Sequence, residues 1–445
     1  MNLSIIGGGL SGSEAAWQAA EAGIRVKLYE MRPIQTSPAH ETDFLGELIC
    51  SNSLGSLLPE RASGMLKEEL RMLGSHLLRI AENCALPAGS ALAVDRTAFA
   101  EQLTTSILAH PNIEVIRQEV TEIPDVPTII STGPLTSPAF SSALADFTGS
   151  EHLFFYDAIA PIIREESIDF SIAFRASRYD KGTEEEGDYI NCPMNKEQYY
   201  SFVSALVQAE RIVLKSFEQD IDSGVKAGAG TYFEGCLPVE VMASRGAETL
   251  AFGPMTPKGL MNHTPEKPYA VVQLRRDNQA GSLYNLVGFQ TNLTFPEQKR
   301  IFRMIPGLEK AQFTRFGQMH RNTFLYAPAI LQPTLQTKTR ENLLIAGQLS
   351  GVEGYMGNIA TGLLAGINAA RYLQRKPAWI FPQTTMLGSL IAYITQSDPK
   401  NFQPMKANFG ILPPLPNPAR DKKKRFLSYT ARGLKDLSTY LAENR

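Results

Sequence analysis

Near its amino end the sequence reads Asn2-Leu3-Ser4-Ile5-Ile6-Gly7-Gly8-Gly9-Leu10-Ser11-Gly12, and this stretch decides the fold. Asn2–Ile6 is a short apolar run suited to a buried strand, and the glycines follow it without a spacer. Ser13–Gly23 then carries Ala15, Ala16, Ala19 and Ala20, small residues that let a helix pack tightly on a sheet. A second strand, Arg25–Glu30, ends in an acid. Strand, glycine turn, small-residue helix, strand and terminal carboxylate together form the dinucleotide-binding fingerprint. Gly7 makes the turn, Gly9 lets the backbone approach a pyrophosphate and Gly12 permits close helix–strand contact. Gly8, Leu10 and Ser11 complete the loop, and the helix amino end faces the phosphates with partial positive charge. Glu30 lies 18 residues past Gly12, where a carboxylate accepts hydrogen bonds from ribose hydroxyls.

A second glycine segment separates FAD from NAD. Asn342–Ala346 reads as a strand, Gly347, Gly351 and Gly354-Tyr355 lie in the loop after it, and Asn358–Leu373 reads as an alanine- and glycine-rich helix. Two-segment FAD proteins close the flavin site with such a late strand–glycine–helix unit, so Gly347, Gly351 and Tyr355 are candidate flavin contacts. Thr128–Thr132 followed by Gly133 matches the strand-plus-ThrGly turn of flavoproteins. FAD, held non-covalently, is the expected cofactor.

Working outward, Ala62–Leu78 shows helical spacing, Arg96–His110 another helix and Ile113–Arg117 a strand, an alternating β/α pattern. From Phe154 to about Thr323 the texture changes to strand-like runs at Phe170–Phe174, Tyr269–Leu274 and Leu283–Phe289, with one helix at Lys196–Ala209. The expected fold is α/β: a Rossmann-like two-segment FAD-binding domain (residues 1–153 and 324–445) with an inserted α+β substrate domain (154–323). The tail holds a proline-rich stretch, Ile411–Pro418, then Arg420–Arg425 and a final helix.

Composition narrows the function. With 43 Lys and Arg against 45 Asp and Glu, the net charge of −2 excludes a generally basic nucleic-acid coat. No signal-like start and no apolar run long enough for a membrane span is present, which points to the cytoplasm. Cys50, Cys84, Cys192 and Cys236 form no CxxC pair; four scattered cysteines fit reduced thiols, and no metal site is expected. Cys50 lies in Glu47–Ser53 and Cys236 in Tyr232–Leu237, both among polar or glycine residues, whereas Cys84 and Cys192 have no comparable setting. A lone cysteine is usually a small buried hydrophobe, but a thiolate beside a flavin has chemistry available to it.

The blocks Glu47–Ser53, Leu66–Arg71, Ala93–Arg96, Tyr232–Leu237, Gly288–Leu293, His320–Thr323 and Gly347–Tyr355, set behind Gly7–Gly12, strongly resemble the TrmFO family. These are bacterial folate- and FAD-dependent tRNA uracil-5-methyltransferases, and the resemblance spans nearly the whole chain. The late glycine loop is shared with the larger MnmG (GidA) flavoproteins, which modify wobble uridine with a partner GTPase. This chain looks too short for MnmG, which has an additional helical carboxy-terminal domain. The resemblance implies methyl transfer to C5 of the T-loop uridine (uridine 54) of tRNA. Methylenetetrahydrofolate would be the one-carbon donor, reduced FAD the electron source and NAD(P)H the reductant of the flavin. It implies Cys236 as first choice for the thiol engaging flavin or uracil, with Cys50 as its partner in a nucleophilic or general acid/base role. His320 and Arg321 become candidates for folate or flavin contact, and Arg275 with Arg276 for the folate glutamate tail. The basic tail (Arg420, Lys422, Lys423, Lys424, Arg425, Arg432 and Lys435) becomes a candidate tRNA-phosphate surface. Neither DNA nor a membrane is an expected partner.

Overall fold

A computed structural model describes the chain apart from residues 38, 150–152, 181, 183, 185, 213–236, 262, 265, 399–401 and 445, and apart from the side chains of 153–158 and 319–323. The expected amino-terminal unit is present: Asn2–Ile6, helix Leu10–Glu21, strand Arg25–Glu30. These strands belong to a five-stranded parallel sheet in the order Leu343–Ile345, Thr128–Ile130, Asn2–Ile6, Arg25–Glu30, Ile113–Arg117. The late segment therefore re-enters the same sheet beside Thr128–Ile130. Leu3, Ile5, Val26, Leu28, Ile129 and Leu344 are all buried, as a parallel sheet covered on both faces requires.

The glycine helix Leu10–Glu21 packs against the late helix Tyr355–Leu373 at unusually close range. A Cβ on Gly362 would lie 2.2 Å from the carbonyl oxygen of Ser11, and one on Gly366 would lie 2.5 Å from that of Ala15. Only glycine permits that approach, so the two cofactor segments are locked together backbone to backbone.

The inserted domain is entered and left through an antiparallel ribbon of Leu153–Ala158 and Met319–Phe324. Its six-stranded sheet runs Phe174–Ala176, Tyr189–Met194, Ala270–Arg276, Leu283–Leu286, Ile162–Arg164, Phe313–Arg315. Every neighbouring pair is antiparallel. The helix Lys196–Gln208 lays Tyr199, Phe202 and Leu206 into a second core, separate from that of the parallel-sheet domain.

Three details differ from the spacing-based expectation. The helix expected over Ala62–Leu78 is two helices, Ala62–Met72 and His76–Asn83; Gly74 turns the chain at φ +76°, and Ser75 caps the second by accepting the Leu78 N–H. The strand expected at Phe170–Phe174 begins only at Phe174, because Asp169 holds a turn by accepting the Ser171 N–H at 2.9 Å. A small antiparallel sheet of Ser53–Ser56, Ala91–Val94 and Ala85–Leu86 carries the chain just after Cys50. The carboxy-terminal helix Lys422–Asn444 returns to the parallel-sheet domain, burying Leu437 and Leu441 and hydrogen-bonding Thr430 Oγ1 to the Pro59 carbonyl.

Candidate functional site

The glycine loop is shaped to accept a dinucleotide. Gly7 has φ +102°, and a Cβ there would meet the Ser131 carbonyl oxygen at 2.6 Å. A Cβ on Gly12 would lie 1.8 Å from the Gly7 oxygen, whereas one on Gly9 would meet nothing within 4 Å. The face of Gly9 is therefore open at the amino end of the glycine helix, where orphan N–H groups and the helix dipole attract an anion. Ser11 Oγ is buried there and has no hydrogen-bond partner among the described residues, a buried donor suited to a phosphate oxygen.

Glu30 stands at one side of the loop. Its Oε2 accepts the Gly8 N–H at 2.9 Å, and its Oε1 accepts Arg32 Nε at 2.8 Å. Burial pushes the pKa of Glu30 up, but these hydrogen bonds and the Arg32 charge outweigh it and hold the carboxyl below its ordinary value. Glu30 lines a cavity of about 70 Å³ with Gly7, Gly9, Arg32 and Thr132.

A larger cavity, about 320 Å³, opens beyond the loop, lined by Cys50, Pro134, Gln290, Gln348, Tyr355 and Lys406 among others. Five parts of the chain build it: the Cys50 segment, the turn after Thr128–Ile130 through Pro134, the late glycine loop, the inserted domain through Gln290, and the tail through Lys406. Gly351 (φ +85°) lets the Phe402 ring come within 2.4 Å of where a Cβ would sit. Gly347 (φ +74°) brings the late loop against Ser11, so the two glycine segments meet. Tyr355 begins the late helix, and its Oη accepts the N–H groups of Cys50 at 2.9 Å and Ser51 at 3.1 Å. Burial, followed by the nearby Cys50 thiol, pushes the Tyr355 pKa far up and keeps the phenol protonated.

Two cavities with a phosphate-binding loop between them fit FAD. The smaller cavity, lined by Glu30 and Gly9, has room beside an acid for a ribose, Ser11 offers an unpartnered donor at the glycine loop, and the larger cavity, lined by Cys50 and Tyr355, would have room for a ring system. Among the described residues, no group of three or more His, Cys, Asp or Glu side chains is arranged to hold a metal ion.

The remaining candidates are distributed as follows. Cys236 lies outside the described residues. The described chain resumes at Leu237, and the Val239 N–H donates to the carbonyl of the cavity residue Gln290 at 2.7 Å. His320 and Arg321 sit on the ribbon strand opposite Asp157 and Tyr156, with side chains outside the described set. Arg275 is buried and points inward, donating to Asn52 Oδ1 (2.8 Å), Ser51 Oγ (3.2 Å) and Asn285 Oδ1 (3.3 Å). Arg276 pairs with Glu184 at 3.0 Å. In the basic tail, Arg432 donates to the carbonyls of Pro413 and Pro414, and Lys423 pairs with Glu60 at 3.2 Å.

Sequence reasoning gave no role to several residues around the cavity. Lys67 is fully buried and donates to the carbonyls of Leu54 (2.7 Å), Ser56 (3.0 Å) and Gly55 (3.2 Å), fixing the cavity floor; burial pushes its pKa down to about 7. Arg96 donates to the Leu48 carbonyl at 2.8 Å and to Asp277 at 3.0 Å. Both lie in blocks quoted above for the family resemblance, Leu66–Arg71 and Ala93–Arg96. Those blocks, far apart in sequence, converge on the segment that carries Cys50.

The fold and the paired glycine segments define a two-segment FAD-binding flavoprotein. The family model described as "Glucose inhibited division protein A" matches residues 2–377. Two solved structures of Aquifex aeolicus GidA superpose with TM-scores of 0.69 and 0.67 at 16% and 15% identity, over 99% of this chain and 77% and 75% of theirs. At that identity they establish the fold alone. Among curated relatives, the methylenetetrahydrofolate–tRNA-(uracil-5-)-methyltransferase TrmFO of Anoxybacillus flavithermus is 53% identical over 442 residues, 99% of each chain. The protein of that name from Bacillus subtilis is 51% identical over 438 residues, 98% of each. The chain belongs to the TrmFO branch of the GidA family.

Proposed function

We propose that the protein is a methylenetetrahydrofolate-dependent tRNA (uracil-5-)-methyltransferase that converts the T-loop uridine 54 to ribothymidine in the cytoplasm. The observation that carries this reading is the cavity in which the Cys50 loop, held by Tyr355, meets the late glycine loop at the far end of the dinucleotide site. Relatives of about half identity across the full chain bear that activity in their name. A GidA-like wobble-uridine modification is not favoured: the GidA structures match at only 15–16% identity, and this chain covers about three quarters of them.

Uracil C5 is a weak carbon nucleophile. A cysteine thiolate that adds to C6 turns C5 into an enolate-like carbon able to attack the folate methylene carbon, whose bond to the folate nitrogen breaks as tetrahydrofolate leaves. A base must then remove the C5 proton, and the thiolate must leave C6 to restore the ring. The two cysteines divide this work: Cys236 as nucleophile and Cys50 as general acid/base. FAD held at the glycine loop would, once reduced by NAD(P)H, provide the hydride equivalent needed to take the carbon to the methyl level. Tyr355 holds the Cys50 backbone, Lys67 holds the cavity floor, and Ser11 with the glycine-helix amino end binds phosphate. The uridine must leave its loop stacking to enter, and Lys406 in the cavity lining gives the RNA backbone a cationic neighbour.

The test uses purified protein, unmodified tRNA, FAD, NADPH and methylenetetrahydrofolate labelled at the transferred carbon. Label should appear in ribothymidine, and Cys50→Ala or Cys236→Ala should abolish transfer while leaving the flavin bound. Turnover of the flavin without label entering tRNA would overturn the proposal.

A further inference from the structure

Behind Cys50 a buried polar network joins the two domains. Arg275, on the inserted-domain strand Ala270–Arg276, donates to Ser51 Oγ and Asn52 Oδ1. Asn52 Nδ2 returns a bond to the Arg276 carbonyl at 2.9 Å and another to Val94 at 3.0 Å. Asn285 Nδ2 bridges Asn52 Oδ1 and Asp277 Oδ1, each at 3.1 Å. Asp277 in turn accepts Arg96 Nε, while Arg96 Nη1 holds the Leu48 carbonyl. The segment Leu48–Asn52 is thus suspended from two guanidiniums, one on each domain.

The charges in that network do not balance. Arg275 is buried and the Arg96 side chain is 12% exposed, and Asp277 is the one carboxylate bonded within the network among the described residues, spent on Arg96. Every described oxygen bonded to Arg275 is neutral. The other groups facing Cys50 do not cancel the excess. Tyr355 is a neutral phenol, and Glu353 and Lys406 line the cavity with one charge of each sign. Glu47, on the same segment, turns away onto Arg32 and the N–H groups of Glu41 and Thr42. Cys50 interacts electrostatically with both guanidiniums. A nearby uncompensated cation favours a thiolate over a thiol, and more strongly in a desolvated site than in water.

We propose that Arg275 is a positioning residue for Cys50: it ties the Cys50 loop to the inserted domain and supplies the excess positive charge that favours the thiolate. Such a thiolate serves as the base or nucleophile assigned to Cys50 above, and to that extent the inference rests on the proposed function. Its test does not require turnover.

The experiment measures the pH dependence of Cys50 alkylation by iodoacetamide in FAD-loaded protein carrying Cys236→Ala, without tRNA or folate. Cys84 and Cys192 are buried, and burial pushes both thiols up, so the fast-reacting sulfur is Cys50. Arg275→Gln removes one positive charge, and the alkylation midpoint should rise by about one pH unit. Asp277→Asn removes the opposing charge with the same shape, and the midpoint should fall by a similar amount. Arg275→Lys keeps the charge and should leave the midpoint near its original place. Simple loosening of the loop would shift Arg275→Gln and Asp277→Asn in the same direction. That result, or no shift in either, overturns the proposal. If Arg275→Gln does not fold, a lowered midpoint in Asp277→Asn supports the proposal and an unmoved one refutes it. Opposite shifts in a protein that transfers no methyl group to tRNA would leave the charge argument standing and refute only the assigned function.

Discussion

Replacing Tyr355 with Phe deletes one oxygen and leaves the ring packing on the same apolar neighbours, which makes it a clean perturbation of the Cys50 loop. That oxygen accepts two backbone N–H groups, from Cys50 at 2.9 Å and Ser51 at 3.1 Å. A hydrogen bond of this kind is worth about 0.5–1.5 kcal/mol net, so the pair contributes about 1–3 kcal/mol to holding the loop. At about 1.4 kcal/mol per tenfold in rate, the step that uses Cys50 should slow about 5- to 150-fold. Water entering the cavity to satisfy the two donors would place the result near the lower figure. FAD affinity should change little, because the oxygen faces the Cys50 backbone. The assay is single-turnover methyl transfer with labelled methylenetetrahydrofolate, alongside a flavin-binding titration. Since burial and the Cys50 thiol hold the phenol protonated, the ratio of the two rates should be constant from about pH 6 to 9. Single-turnover transfer within twofold of the parent enzyme would refute the loop-anchoring argument. A ratio that varied with pH would show that the phenol proton takes part directly.

Other outcomes follow from the same contacts. Glu69 caps the helix Met386–Gln396 by accepting the Met386 and Leu387 N–H groups, and burial pushes its pKa up from 4.5 to about 7. A raised acid pKa means that the folded state holds the proton more tightly, so stability falls as pH rises from 4.5 through 7. Relative to Glu69→Gln, the parent protein should lose about 3 kcal/mol across that window, read by urea denaturation at each pH. Lys67→Met strips the donor from four carbonyls, those of Leu54, Gly55, Ser56 and Ser63, and should cost about 3 kcal/mol of stability while reducing methyl transfer. Parent-like melting in this variant would show that the clamp is dispensable. Gly362→Ala drives a methyl group into the Ser11 backbone, so both melting temperature and FAD affinity should fall together. A normal flavin titration would show that the two glycine segments need not touch so closely.

Much of the scaffold was legible from short-range pattern. Strand, glycine turn, small-residue helix and terminal acid are all dictated within thirty residues, and each appears where spacing placed it. The late strand–glycine–helix unit was readable for the same reason. Where local reading went astray, a side chain or a glycine intervened: Asp169 held a turn where alternation suggested a strand, and Gly74 divided an otherwise continuous helical spacing.

The sequence alone determined that this chain binds a dinucleotide and which family it resembles, because backbone turns and helix faces depend on residues a few positions apart. Only the tertiary structure decided what surrounds Cys50. Its backbone is held by Tyr355, 305 positions away, and the adjoining Asn52 meets Arg275, 223 positions away. Arg275, which the family resemblance made a candidate for the folate glutamate tail, is turned inward onto Asn52 instead. A pairing over such a distance has no local periodicity to announce it; it exists because folding brings two domains together and buries the charge between them.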